Sequence, residues 1–146
     1  MRISKALGVT HGLTLGLLVS SMIFVSTPAR AQPILHHVRY TVGASEDIAN
    51  AEIYYRNVDP PNWAEYSHDP YLYSPNAEAN LGPNRAWVFE TMLADPDAWA
   101  MVVVGLPDPS VPPLSTPGFV CELRVDDKVV ATDSGSKGAL CSIRNW

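Results

Sequence analysis

The chain has 146 residues, 47% of them hydrophobic and 17% charged, with 15 acidic against 10 basic side chains and a formal charge of −5. That balance excludes a nucleic-acid binder working by phosphate neutralisation, and the length excludes more than one sizeable domain. Two cysteines among 13 prolines point to a loop-rich chain with a single intramolecular disulfide available to it.

Residues 1–31 read as a targeting segment. Arg2 and Lys5 supply a positive start, residues 13–25 an apolar run, and Ala29-Arg30-Ala31 the small-x-small pattern of a signal-peptidase site, so cleavage before Gln32 is expected. An uncleaved membrane anchor is the alternative, because residues 6–25 are about long enough to span a bilayer. Residues 32–146 then form a single domain outside the cytoplasm, secreted or held at the cell envelope. Without Arg2, Lys5 and Arg30, 10 less 3 leaves 7 basic against 15 acidic side chains, a formal charge of −8. Such a surface repels nucleic acid and anionic lipid.

Residues 35–42 (LHHVRYTV) alternate as a first strand, with His36, Val38, Tyr40 and Val42 on one side. Residues 50–56 (NAEIYYR) make a second, and with a turn over 43–47 the two are expected to form a hairpin. From 57 to 85 the composition changes: Pro60, Pro61, Pro70, Pro75 and Pro83 interrupt a run containing Trp63, Tyr66, Tyr71 and Tyr73, which predicts a long aromatic loop with a small helical turn within 76–81. Long loops in compact domains are often functional, although these aromatics can equally fold back to cover one end of the domain.

Residues 86–93 (AWVFETML) and 99–105 (WAMVVVG) are core strands joined by the polar turn 94–97, and both are too short for membrane spans. The five prolines of 106–117 exclude helix and inner strand and predict an extended crossover between sheets. In 118–143, Phe119, Cys121, Leu123 and Val125 share one face of a strand. Asp126-Asp127 makes a tight turn, 128–132 returns, 133–138 is a Ser/Gly-rich loop, and 139–143 closes. In an exported chain the two cysteines pair as Cys121–Cys141, a structural staple with too long a separation and too few neighbouring ligands for a redox or metal site. About seven short antiparallel strands without an amphipathic helix of normal length make an all-β, Ig-like sandwich with one disulfide, preceded by the N-terminal hydrophobic segment.

Reactive constellations are sparse. His36 and His37 point to opposite faces of a strand and do not share a metal, and Ser134-Gly135-Ser136-Lys137-Gly138 lacks phosphate-loop spacing. Asp95-Pro96-Asp97 and Asp126-Asp127 lack the ligand series of a calcium loop. No catalytic residue, metal or cofactor is expected. His68 beside Asp69 is the one histidine-acid neighbour pair from which a secreted hydrolase or carbohydrate-active site would be built. A secreted structural or antigenic domain without a ligand is a further alternative.

The segment VRYTVGASEDIANAEIYYRN (residues 38–57), followed downstream by Cys121-x-Leu-x-Val-Asp-x-x-Val-Val and by Cys141, resembles the mycobacterial MmpS family. The resemblance implies an N-terminal hydrophobic segment, an extracytoplasmic β-sandwich, and an accessory role beside MmpL transporters of the RND superfamily, which export siderophores and envelope lipids. The turn is Asp126-Asp127 where that family has Asp-Gly, and the Pro/aromatic middle is longer. The expectation is thus a non-enzymatic exported domain that binds an MmpL-type transporter, another envelope protein, a lipid or a siderophore, with Trp63, Tyr66, Tyr71 and Tyr73 as contact surface.

Overall fold

The computed structural model describes residues 31–145. The targeting segment expected over residues 1–31 therefore lies outside the described residues, apart from Ala31. Among the described residues, strands β1 (His36–Ala44), β4 (Trp87–Leu93), β6 (Phe119–Val125) and β7 (Lys128–Gly135) make one antiparallel sheet, ordered β4-β1-β6-β7. Strands β2 (Ile48–Tyr55), β3 (Asn76–Leu81), β5 (Met101–Gly105) and β8 (Gly138–Ser142) make the second, ordered β3-β2-β5-β8. The all-β sandwich expected from the sequence forms, with eight described strands rather than about seven.

Period-2 alternation supplies the core. Val38, Tyr40, Val42 and Ala44 of β1 point inward and meet Ile53, Val102 and Val104 from the second sheet in one cluster. Tyr55 reaches across from β2 to the rings of Phe89 and Trp87 on β4, with centroids 4.4 and 5.0 Å away. The disulfide Cys121–Cys141 forms as expected, with Cα atoms 6.0 Å apart. Because Cys121 belongs to the first sheet and Cys141 to the second, the bond crosses the core and ties sheet to sheet.

Four local expectations are corrected. β1 and β2 are not a hairpin, since they lie in different sheets. Their link is held to the Pro-rich crossover instead: the Ser45 N–H donates to Gly118 O, its hydroxyl to Ser115 O, and the Glu46 carboxylate accepts from the Ser115 N–H. Residues 76–81 are strand, not a helical turn, because Ala77, Ala79 and Leu81 alternate with Asn76, Glu78 and Asn80. The turn at 94–97 begins a short helix, α3 (Pro96–Trp99), and the strands on either side of it occupy different sheets. β7 continues to Gly135, so the loop expected over 133–138 shrinks to Ser136 and Lys137, where the chain changes sheets.

The C-terminal hairpin and the crossover stand as expected. Asp126 and Asp127 have φ of 48° and 65°, the left-handed pair that a two-residue I′ turn requires. Residues 106–118 run without helix or strand from β5 to β6. They end at Gly118, where φ is 79° and a Cβ would stand 2.5 Å from the Gly135 carbonyl oxygen, so only glycine fits.

Candidate functional site

The 57–75 segment is built by local capping and then braced by long-range contacts. Asn62 caps α1 (Trp63–His68), its side-chain oxygen accepting from the Glu65 N–H at 2.9 Å. Pro70 opens α2 (Pro70–Tyr73) at a position where no N–H is needed. Short helices at these points replace the irregular loop expected from the prolines. The segment is tied down by Asp59, whose carboxylate accepts from the Ala94 and Asp95 N–H groups at 2.6 and 3.0 Å, and by the Thr91 hydroxyl, which donates to Asn57 O.

Beneath α1 lies Arg56. By alternation from Ile53 and Tyr55 it leaves β2 on the outer face of the second sheet, yet it is fully buried. Its guanidinium carbon is 4.4 Å from the Tyr66 ring centroid and 5.4 Å from that of Trp99, and its Nε donates to Trp99 O at 3.1 Å. Trp63 packs against Trp99 with ring centroids 4.2 Å apart and planes tilted by 34°, and Arg144 lies 4.0 Å over the Trp63 ring. The result is a cation–aromatic cluster in which each cation lies over the π surface of an aromatic neighbour. Burial pushes the hydroxyl of Tyr40 well above its ordinary pKa, with the nearby Arg56 charge opposing the shift.

Of the four aromatics expected as contact surface, the structure brings Trp63 and Tyr66 together around Arg56 and sets Tyr71 and Tyr73 apart from them. Trp63 keeps 39% exposure, whereas Tyr66 is half-buried within the cluster. Tyr71 is 68% exposed on α2, its ring 6.1 Å from Tyr54, and the neighbouring Leu72 is 62% exposed. Tyr73 is half-buried at the root of the segment, where its carbonyl accepts from the Asn57 N–H. Beyond Tyr54 an outward row continues across the second sheet through Val103 to Leu140. Sequence reading missed Arg56, Trp99, Arg144 and Leu72. Their one local signal was the Asp-Pro pair that starts α3 and delivers Trp99, with the Asp95 side chain accepting from the Ala98 N–H.

His68 and Asp69 are both exposed at the junction of α1 and α2, where the Asp69 N–H donates to Glu65 O. His36 and His37 diverge, as the strand geometry requires: His36 Nδ1 donates to Asp126 Oδ2 at 2.7 Å, while His37 Nε2 lies 3.5 Å from Glu90. The Asp126 carboxyl is held below its ordinary range, first by that ring hydrogen bond and next by the His37 N–H. The folded chain thus keeps Asp126 ionised to lower pH than the unfolded chain does. Its contribution is complete above the usual carboxylate range, about pH 4, and is lost as pH falls through the depressed value. The thermal midpoint should therefore drop more steeply below that range in the parent protein than in Asp126→Asn, which a pH series of melts will read.

At the opposite end of the sandwich a groove of about 800 Å³ is lined by Thr41, Gly43, Arg85, Glu122, Thr132 and Ser134 and contains no aromatic ring. Among the described residues no helix is long and apolar enough to cross a membrane.

Fold and site define a small, disulfide-tied β-sandwich domain carrying an aromatic insertion at one pole. The chain belongs to the Rv2576c beta-sandwich domain family, whose model matches residues 40–141. It is similar to the uncharacterized protein Rv2576c of Mycobacterium tuberculosis (strain ATCC 25618 / H37Rv), 35% identical over 120 residues that cover 81% of this chain and 73% of the relative. The uncharacterized protein Mb2606c of Mycobacterium bovis matches with the same identity and coverage. No solved structure matches the chain.

Proposed function

We propose that the chain is an exported, non-enzymatic binding module that engages an apolar envelope molecule or a protein partner through the 57–75 insertion. The observation that carries this reading is the exposure of Tyr71 and Leu72, 68% and 62%, on a segment whose base is braced by the buried Arg56 cluster. Large apolar side chains held out on an immobilised base lose little freedom when a ligand covers them, which is what makes such groups effective anchors. Export is supported by the sheet-to-sheet disulfide, a bond that persists in oxidising compartments, and by the sequence pattern of residues 1–31.

The finer form of the proposal is a transport accessory for siderophore or lipid export beside an MmpL-type transporter. It rests on the MmpS resemblance of residues 38–57 and of the cysteine pattern. Titration calorimetry with a siderophore and with a long-chain lipid, comparing the parent protein with Tyr71→Ala/Leu72→Ala, tests the binding reading. Affinity should fall roughly 10–100-fold with the thermal midpoint unchanged. Trp63→Ala is the less informative variant, because it also removes a ring of the cluster. Equal affinity in the parent and the double variant would remove the insertion as the contact surface.

A further inference from the structure

The two sheets treat their outward charges differently. On the outer face of the first sheet each charge has a partner: Arg39 Nε lies 3.5 Å from Glu90, His37 reaches the same carboxylate, and Arg124 pairs with Glu122. The second sheet has no such balance. Its four strands carry no lysine, arginine or histidine, and their charged side chains are Glu52 of β2 and Glu78 of β3. These two are register partners and alternate with the inward Ile53 and Ala77, so both carboxylates stand on the outer face, directly opposite one another. Like charges so placed cost stability.

Among the described residues no cation answers them. Arg85 lies 3.6 Å from Asp47, and Arg144 covers Trp63. Arg56 leaves β2 on the same face, but it is sealed beneath α1 about 13 Å along the strand from Glu52. Lys128 opens β7 in the other sheet, and Lys137, at the turn into β8, makes no ion pair. Beside Glu52 the sheet is bare, because its neighbours across β5 and β8 are Gly105 and then Gly138. The next row is apolar: Tyr54, Val103 and Leu140 lie in register, and the Tyr71 ring, 6.1 Å from Tyr54, extends them toward the insertion. A strip of backbone about 10 Å long thus leads along an apolar row to two carboxylates. A lysine or arginine fits it, with the aliphatic stem over the glycines and the charged head at Glu52 and Glu78. The first sheet also exposes apolar side chains, Val88, Met92, Val120, Val129 and Val130, but the charges among them are already balanced and select no partner.

We infer that the outer face of the second sheet docks a protein partner, which covers Tyr71, Tyr54, Val103 and Leu140 with apolar side chains and sets a lysine or arginine against Glu52 and Glu78. This deepens the binding reading above, on which it rests for the role of Tyr71, by giving the partner's chemistry. A cation placed between the carboxylates removes their repulsion, so the conflict in the free chain is relieved by the partner. A neutral apolar ligand covering the same row would desolvate the two charges without compensating them. The acidic balance of residues 32–146 acts in the same direction at longer range and draws basic partners in at low salt.

The probe is a short fluorophore-labelled peptide of alternating leucine and lysine, titrated with the protein and read by anisotropy beside a leucine–glutamate and a serine–lysine peptide. The leucine–lysine peptide should bind, and each of the others about 10-fold more weakly. Glu52→Gln/Glu78→Gln and Leu140→Ser should each weaken it about 10-fold, the first chiefly at low salt, whereas Glu90→Gln on the first sheet should leave it unchanged. Glu78→Lys supplies the cation from within the chain. It should abolish binding and raise the thermal midpoint by about 2 °C, because like charges become opposite ones. No saturable signal from the parent at about 1 mM protein, or equal affinity in the parent and in Glu52→Gln/Glu78→Gln, overturns the inference. A parent that dimerises in sedimentation and is returned to monomer by Leu140→Ser would put a second copy in the place of the foreign partner. Tyr71→Ala/Leu72→Ala separates the two readings: loss of binding there with the glutamine variant unaffected keeps the insertion and overturns the sheet face, and loss in the glutamine variant alone does the reverse.

Discussion

Arg56→Ala is expected to lower the unfolding free energy by about 3–5 kcal/mol, combining a large-to-small change at a fully buried position with loss of a charged hydrogen bond. The guanidinium fills the space between Tyr66 and Trp99 and satisfies the Trp99 carbonyl, so its removal leaves both a void and an orphaned acceptor. Arg56→Met, which keeps the length and discards the charge, should cost less. Arg56→Lys should recover little, because an ammonium has no planar fork to lie flat on the rings. Urea titration of the three variants reads the order Met, then Lys, then Ala in decreasing stability. An alanine variant within error of the parent would show that the cluster carries no load. Because α1 rests on this arginine, Arg56→Ala should also weaken any ligand binding at Tyr71 and Leu72 without touching either residue.

Cys121→Ala/Cys141→Ala is expected to cost about 3 kcal/mol from the regained freedom of the unfolded chain, over a sequence separation of 20. That corresponds to a fall of roughly 10 °C in the thermal midpoint. The bond joins β6 to β8 across the core, so its loss removes the covalent tie between the sheets at the place where the chain passes from β7 to β8. Both sulfur-bearing residues are buried, and the alanines forfeit some packing in addition. Melts of the parent with and without reductant, set beside the double variant, check the value. Superimposable curves would show that packing alone holds the sheets together.

The two predictions differ in how far their residues could be read in advance. Cys121 and Cys141 needed only counting and the expectation of export, since two thiols have one way to pair. Arg56 looked like the polar end of a strand. Its burial depends on Tyr66 from α1 and on Trp99 from α3, groups up to 43 residues away along the chain. Trp63, Tyr66, Tyr71 and Tyr73 were legible as a group through their composition. Which of them brace the fold and which meet solvent was not, because that depends on what lies beneath each ring.

The chain's order of residues by itself determined the β class, most of the strand positions, the I′ turn at Asp126-Asp127 and the disulfide. Each of these follows from alternation, local backbone preference or simple pairing over a few residues. Tertiary structure alone decided which strands share a sheet, that β1 and β2 part company, and that an arginine becomes the buried foundation of an aromatic pole. Strand pairing and burial are settled by which surfaces exclude water together across the whole domain, and no local stretch contains that information.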